Sequence, residues 1–176
     1  AGNTNYRHSA IVFERDDAGF GDARGNIHIL NSPSGSASAD LGDARLTILP
    51  AGNVGIGTTN PQAQLQVKQL GINVNQSSVT STSQYTCDSM SATAFRSARY
   101  TVQVTNVTDS TYQITEILLI HDGTTPSMTE YSTIFTGSAR EASFDADIVS
   151  SNVRLLATPA STDSMQFKVV RHSILV

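Results

Sequence analysis

The sequence predicts an all-β protein: a β-rich segment that intertwines with copies of itself, followed by an antiparallel β-sandwich or jelly roll. Three observations lead there. Short apolar runs recur between turn-forming residues, no window shows sustained helical periodicity, and Ser and Thr supply 42 of the 176 residues while charged residues make up only 15%. Thr and Val favour strands, and a surface of hydroxyls and amides suits sheets. A chain of this length makes one ordinary domain or two small ones.

From Asn5 to Val67 the expected strands are short: Ala10-Ile11-Val12-Phe13, Ile27-His28-Ile29-Leu30, Leu46-Thr47-Ile48-Leu49 and Leu65-Gln66-Val67. The breakers between them, Asp16-Asp17-Ala18-Gly19, Ser32-Pro33-Ser34-Gly35 and Pro50-Ala51-Gly52-Asn53, are turn chemistry. These 63 residues hold about a dozen large apolar side chains, too few for a monomer to close a core. Copies wound around a symmetry axis would remedy that shortage; a partly disordered segment would have the same composition.

Residues 68–79 read as a linker that starts the next sheet, between a first segment at 1–67 and a second at 80–176. Beyond it the strands lengthen. Ala98 to Thr105 places Tyr100, Val102 and Val104 on one face. Thr111 to Glu116 alternates too, then becomes apolar on both faces through Ile117-Leu118-Leu119-Ile120. Further strands are expected at 128–135, 141–149, 152–158 and 165–176, with turns at Gly123, Pro126, Gly137, Asn152 and Pro159. In the last strand Met165, Phe167 and Val169 share one parity and Val170, His172, Ile174 and Val176 the other, which a bulge or burial of both faces would explain. Ile117, Leu119, Val170 and Ile174 are therefore the candidate interface residues of this segment.

The glycine-rich stretch Gly52-Asn53-Val54-Gly55-Ile56-Gly57 is not a phosphate loop, since Thr58-Thr59-Asn60-Pro61 follows and no helix opens there. Glycine permits positive φ or close backbone approach, so Gly52, Gly55, Gly57 and Pro61 are expected to be architectural, where three chains crowd together.

Asn53 to Pro61, followed by Leu65-Gln66-Val67, closely resembles a recurring shaft or neck element of phage tail fibres and tailspikes. Arg45 to Ala51 is similar to the apolar strand that precedes that element, and Asn5 to Leu30 to looser strand repeats further up such fibres. The close match covers about 20 residues. The second segment resembles a head domain of structural proteins in contractile-tailed phages, notably those infecting marine cyanobacteria; Arg99 to Val104, Glu116 to Gly123 and Thr129 to Thr133 carry that likeness. The resemblance implies a homotrimer in the virion, made in the host cytoplasm, with a stalk at 1–67 and a head at 80–176. Its partners would be other virion proteins and a host-surface glycan or protein. The helical, Ser-Asp-containing segment of self-cleaving fibres is missing, so no self-cleavage is expected. A polysaccharide-degrading tailspike and a capsid decoration or neck protein without receptor binding are the alternatives. The chain opens without Met, which suggests a piece of a longer protein.

Net charge is −4, and neither segment is basic: five basic against six acidic residues over 1–75, six against nine over 76–176. Clustered Lys and Arg, which nucleic-acid binding requires, are absent, so no nucleic-acid partner is expected. No run of about 18 apolar residues exists, so no membrane insertion is expected. Cys87 is the only cysteine, which excludes an internal disulfide, fits folding in a reducing cytosol and leaves no Cys-rich zinc site. With no basic neighbour or helix N-terminus to activate it, Cys87 reads as inert.

Asp145 and Asp147 share a strand face at a spacing a glycosidase pair could use, but two solvated acids are the commoner meaning. Glu14, Asp16, Asp17 and Asp122 read as turn residues, with cation binding the alternative. His8, His28, His121 and His172 form no close pair; His28 and His172 could each meet their copies at a threefold axis and hold a metal, with ordinary hydrogen-bonded strand residues the better reading. No metal, cofactor or catalytic residue is expected. Tyr100, Tyr112, Phe144 and Phe167 are expected in the core, while Tyr85, Phe95 and Tyr131 lie near strand ends. A glycan site would be built on loops such as 122–129 or 159–164.

Overall fold

The computed structural model describes residues 7–15, 25–33 and 37–176. The turns expected at 16–19 and 34–35 lie outside the described residues. The fold is all-β, and its chain divides into two compact units, Ala1–Gly71 and Ile72–Val176.

In the first unit, β1 (Ser9–Arg15), β2 (Gly25–Asn31), β3 (Ala44–Ile48), β4 (Val54–Ile56) and β5 (Leu65–Val67) lie side by side in sequence order. Neighbours are antiparallel except β4 and β5, which are parallel. The strand β4 comes from the glycine-rich stretch itself, which was expected to be architectural but was given no strand. A short 3-10 turn, Leu41–Asp43, leads into β3; Asp40 caps it by accepting from the Gly42 amide at 2.8 Å, and Asp43 caps the Asp40 amide in return.

The interval expected as a linker, 68–79, carries β6 (Leu70–Val79), a strand of ten residues. In the second unit follow β7 (Tyr85–Ser91), β8 (Phe95–Asn106), β9 (Thr111–His121), β10 (Pro126–Phe135), β11 (Ala142–Val149), β12 (Asn152–Pro159) and β13 (Met165–Leu175). One sheet runs β6-β13-β8-β9-β10 and a smaller one β11-β12-β7. The inner face of the larger sheet buries Tyr100, Val102, Val104, Ile117, Leu119, Met165, Phe167 and Val169; the smaller contributes Cys87, Val153, Leu155 and Ala157. Each Val, Leu, Ile, Phe or Met among them is worth about 1.5–3 kcal/mol on burial. Tyr85 meets Phe167 edge-on at 5.5 Å between the sheets.

Two expectations are corrected by strand parity. Tyr112 is exposed rather than core, because β9 pairs with β8 so that Val104 faces Gln113, Val102 faces Thr115 and Tyr100 faces Ile117. Gln113 is held inside by all its polar groups: its amide donates to Thr115 Oγ1 and the Ala142 carbonyl, and its oxygen accepts from the Glu141 and Ala142 amides. The last strand keeps one buried parity through Met165, Phe167, Val169, Arg171 and Ser173. Neither a parity switch nor two-sided burial occurs; the inward face simply turns polar.

That polar end is an ion pair between Arg171 and Asp88, both buried. Arg171 also donates to Ser173 Oγ at 2.9 Å and the Ser89 carbonyl at 2.8 Å, and lies 6.0 Å from the Phe95 ring centre. Burial outweighs the guanidinium and raises the Asp88 carboxyl above its ordinary value. Removing one partner strands a buried charge. Arg171→Met should therefore cost about 3–5 kcal/mol in urea unfolding, and adding Asp88→Leu should recover most of it.

Candidate functional site

The apolar residues of the first unit fall into two rows that cross all five strands. Cross-strand partners give Ile11-Ile29-Leu46-Ile56-Val67 and, two residues along, Phe13-Ile27-Ile48-Val54-Leu65. Both rows occupy one face, since residues two apart on a strand point the same way. This face is open: Phe13 is 77% and Ile11 64% exposed, and the other members are exposed or partly so. The opposite face carries the row Val12-His28-Thr47-Gly55-Gln66, of which His28, Thr47, Gly55 and Gln66 are buried. The sheet is thus inverted relative to an ordinary one: its covered side is largely polar, with Leu30 and Ala44 the buried apolar exceptions, and its more apolar side is bare. Exposed apolar surface on this scale marks an interaction face.

The glycines serve this inversion within one chain. A Cβ on Gly55 would sit 2.6 Å from the Thr58 carbonyl oxygen and 3.3 Å from Pro61 Cδ, so the chain's own Thr58–Pro61 turn makes a close approach there. Gly52 and Gly57 adopt φ of +89° and +72°. Asn53 Nδ2 donates to the Pro61 carbonyl at 3.2 Å, and Gln66 holds the turn's far end, accepting from the Gln62 amide and donating to the Lys68 carbonyl.

His28 sits on the covered face with both ring nitrogens engaged within its own chain. Glu14 Oε2 can only accept, so His28 Nε2 donates to it at 3.1 Å; Nδ1 of the neutral ring then accepts from the Thr47 hydroxyl at 3.0 Å. Glu14, His28 and Thr47 have the order of an acid-base-nucleophile chain. Thr47 is 0% exposed, however, so its hydroxyl meets no substrate and the chain is structural.

The second unit also presents apolar surface on the outward face of its larger sheet. Ile114, Leu118, Ile120 and Ile174 are exposed there, and Val170 is partly so. Of the four interface candidates, Ile174 is 57% exposed, whereas Ile117 at 0% and Leu119 are core residues. The parity rule above reassigns their place to Leu118 and Ile120. His172 shares this outward face opposite Arg99. Arg99 bonds both oxygens of Glu116, at 2.9 and 2.7 Å, and Tyr131 donates to the same carboxylate. Tyr131 occupies a bulge in β10 between Glu130 and Ser132.

The remaining candidates are engaged. Asp147 pairs with Arg154, while Asp145 accepts only from the Ala146 amide, so the two acids are not alike. The Cys87 thiol is buried, donates to the Leu155 carbonyl and is pushed up to about 12 by burial. His121 Nε2 donates to the Phe95 carbonyl at 2.7 Å. Phe95 is buried, not near the surface as its place at a strand start suggested. In the 122–125 turn, Asp122 Oδ1 accepts from the Thr125 and Thr124 amides and the Thr124 hydroxyl, holding it down at about 2. Among the described residues no cluster of three His, Cys, Asp or Glu could hold a metal, and no helix is long and apolar enough to cross a membrane.

No protein-family model matches the sequence, and no curated protein matches it. Among solved structures it is similar to the tailspike protein of Acinetobacter baumannii phage AM24, at 6% identity and TM-score 0.39 over 64% of this chain and 28% of that one. It is also similar to the tailspike protein of Acinetobacter phage vB_ApiP_P1, at 20% identity and TM-score 0.34 over 61% and 21%. The chain spans about a quarter of the length of those two proteins. At such TM-scores neither likeness bears weight.

Two outcomes follow from this geometry. Gly55→Ala should lower stability by about 1–3 kcal/mol in chemical denaturation, through the clash with Thr58. The second concerns pH. Asn26 and His28 depress Glu14, Tyr131 and Arg99 depress Glu116, Arg154 depresses Asp147, and Ser161 and Asn106 depress Asp163, alongside Asp122. A depressed carboxyl stabilises the fold above its unfolded value and loses that contribution as pH falls through its folded one; Asp88, being raised, works oppositely. The thermal midpoint should therefore hold above about pH 5 and fall towards pH 2 in a fluorescence-monitored melt.

Proposed function

We propose that this chain is a structural and adhesive module of a phage tail fibre or tailspike: a homotrimer with a β-rich stalk and a β-sandwich head, carried on the outside of the virion. Its partners are other virion proteins and a host-surface glycan or protein. It acts by assembly and attachment, without catalysis or a cofactor. The observation that carries this reading is the bare apolar face of the first unit, whose two rows need a partner as apolar as themselves. A second copy supplies that surface with matched row spacing, and a threefold arrangement lets three such faces enclose one core. The sequence resemblance of Asn53 to Pro61 and Leu65 to Val67 to fibre shaft elements supports the same reading. The engaged state of Asp147 and the burial of Thr47 favour a non-catalytic role.

Light scattering coupled to size exclusion should give three times the chain mass. Ile11→Asp with Phe13→Asp, both largely exposed in the single chain, should reduce it to one chain mass with the sheet signal in circular dichroism retained. A monomeric unaltered chain would sink the reading. Fluorescently labelled trimer should stain host cells; failure to stain would favour a decoration protein over an adhesin.

A further inference from the structure

The groups around Gln113, inside the second unit, do more than satisfy a buried amide. We propose that Thr115 and Gln113 close an internal ester, in which the Thr115 hydroxyl attacks the side-chain carbonyl carbon of Gln113 and ammonia leaves. This is chemistry of the chain upon itself and is independent of the attachment reading.

The carbonyl is polarised in advance. Gln113 Oε1 accepts from two successive backbone amides, Glu141 at 2.7 Å and Ala142 at 3.1 Å, the arrangement that stabilises an oxygen as it gains negative charge. Gln113 Nε2 donates to the Ala142 carbonyl at 3.0 Å, an acceptor placed to hold the nitrogen as its bond to carbon breaks. The nucleophile stands alongside. Thr115 Oγ1 lies 2.9 Å from Nε2, and the carbon to be attacked is the next atom along, one amide bond of about 1.33 Å away. Gln113 is 1% and Thr115 0% exposed, so water is kept from competing for that carbon and from hydrolysing the finished ester.

The proton has a path. Because Thr115 Oγ1 accepts from Nε2, its own hydrogen is free for Thr133 Oγ1 at 3.2 Å, the residue directly across on β10. Thr133 in turn donates to Glu130 Oε2 at 3.5 Å, and Arg140 fixes that carboxylate at 2.8 Å. Residues three apart on a strand ordinarily face opposite sides; the bulge at Tyr131 turns Glu130 to the side of Thr133. Glu130 is thus a positioned base acting through one hydroxyl. The step balances without an oxidant or a second reactant. An O–C bond forms, a C–N bond breaks, the proton shed by Thr115 is made good on the nitrogen, and the departure of ammonia into solvent draws the reaction forward.

Intact-mass spectrometry of the purified, unaltered chain under denaturing conditions tests this directly. The chain should be lighter than its sequence by one ammonia. Fragmentation of the peptide that spans both residues should give no backbone ions between 113 and 115, because the ring holds the pieces together. Thr115→Ser should lose ammonia as well, and Thr115→Val should keep the full mass. Followed from cell-free synthesis, Glu130→Gln should close about tenfold more slowly or worse, while Ile120→Ser on the outer face closes as the unaltered chain does. A full sequence mass in the unaltered chain would overturn the inference without recourse to any variant. Ammonia loss that persists in Thr115→Val, or that maps to an asparagine, would overturn it too, and an unchanged rate in Glu130→Gln would remove the relay.

Discussion

Everything in this chain depends on the two-sidedness of a β-strand. Side chains alternate, so a sheet has two faces to satisfy, and a sequence with few large apolar residues must decide which face receives them. The second unit gives one face of its larger sheet a true core and spreads the surplus over the other. In the first unit most of the large apolar side chains go to the side its own loops do not cover, while Leu30 is buried on the other. A single chain then leaves an extended apolar surface in water, the kind of surface that association buries.

How much of this was legible in the sequence can be traced element by element. Turn residues and apolar runs located β1, β2, β3 and β5 closely, and the four last strands of the second unit as well, because periodicity and breakers are local signals. Orientation is not local. Ile117 and Leu119 were indistinguishable from Leu118 and Ile120 in a run apolar on both sides; only pairing with β8 across the turn after Asn106 tells them apart. Tyr100, assigned inward from its own strand, would have fixed Ile117 inward had the hairpin register been counted through. The inward Gln113 and Arg171 were illegible for a different reason. A buried polar side chain is allowed only by its partners, and Ala142, Glu141 and Asp88 are 28 to 83 residues away.

The candidate site divides the same way. Gly52 and Gly57 were recognisable as backbone-driven positions, and their left-handed φ agrees with that. The partner that demands Gly55 was not recognisable, since three crowded chains and one folded-back turn ask for the same residue. The Glu14, Asn26 and His28 cluster was missed altogether: Glu14 and His28 were weighed singly and Asn26 not at all, and only the antiparallel register of β1 and β2 places Asn26 opposite Glu14.

The parallel pairing of β4 with β5 is made by a connection of only eight residues, shorter than such crossovers usually run. So short a return has no room to arch away from the sheet and must lie flat upon it, with the Thr58 carbonyl resting where a side chain at position 55 would stand. The missing methyl group therefore settles the sidedness of the unit. Because the loop can lie down on one side, that side becomes the interior, and the other is left as the surface on which a larger object can be built.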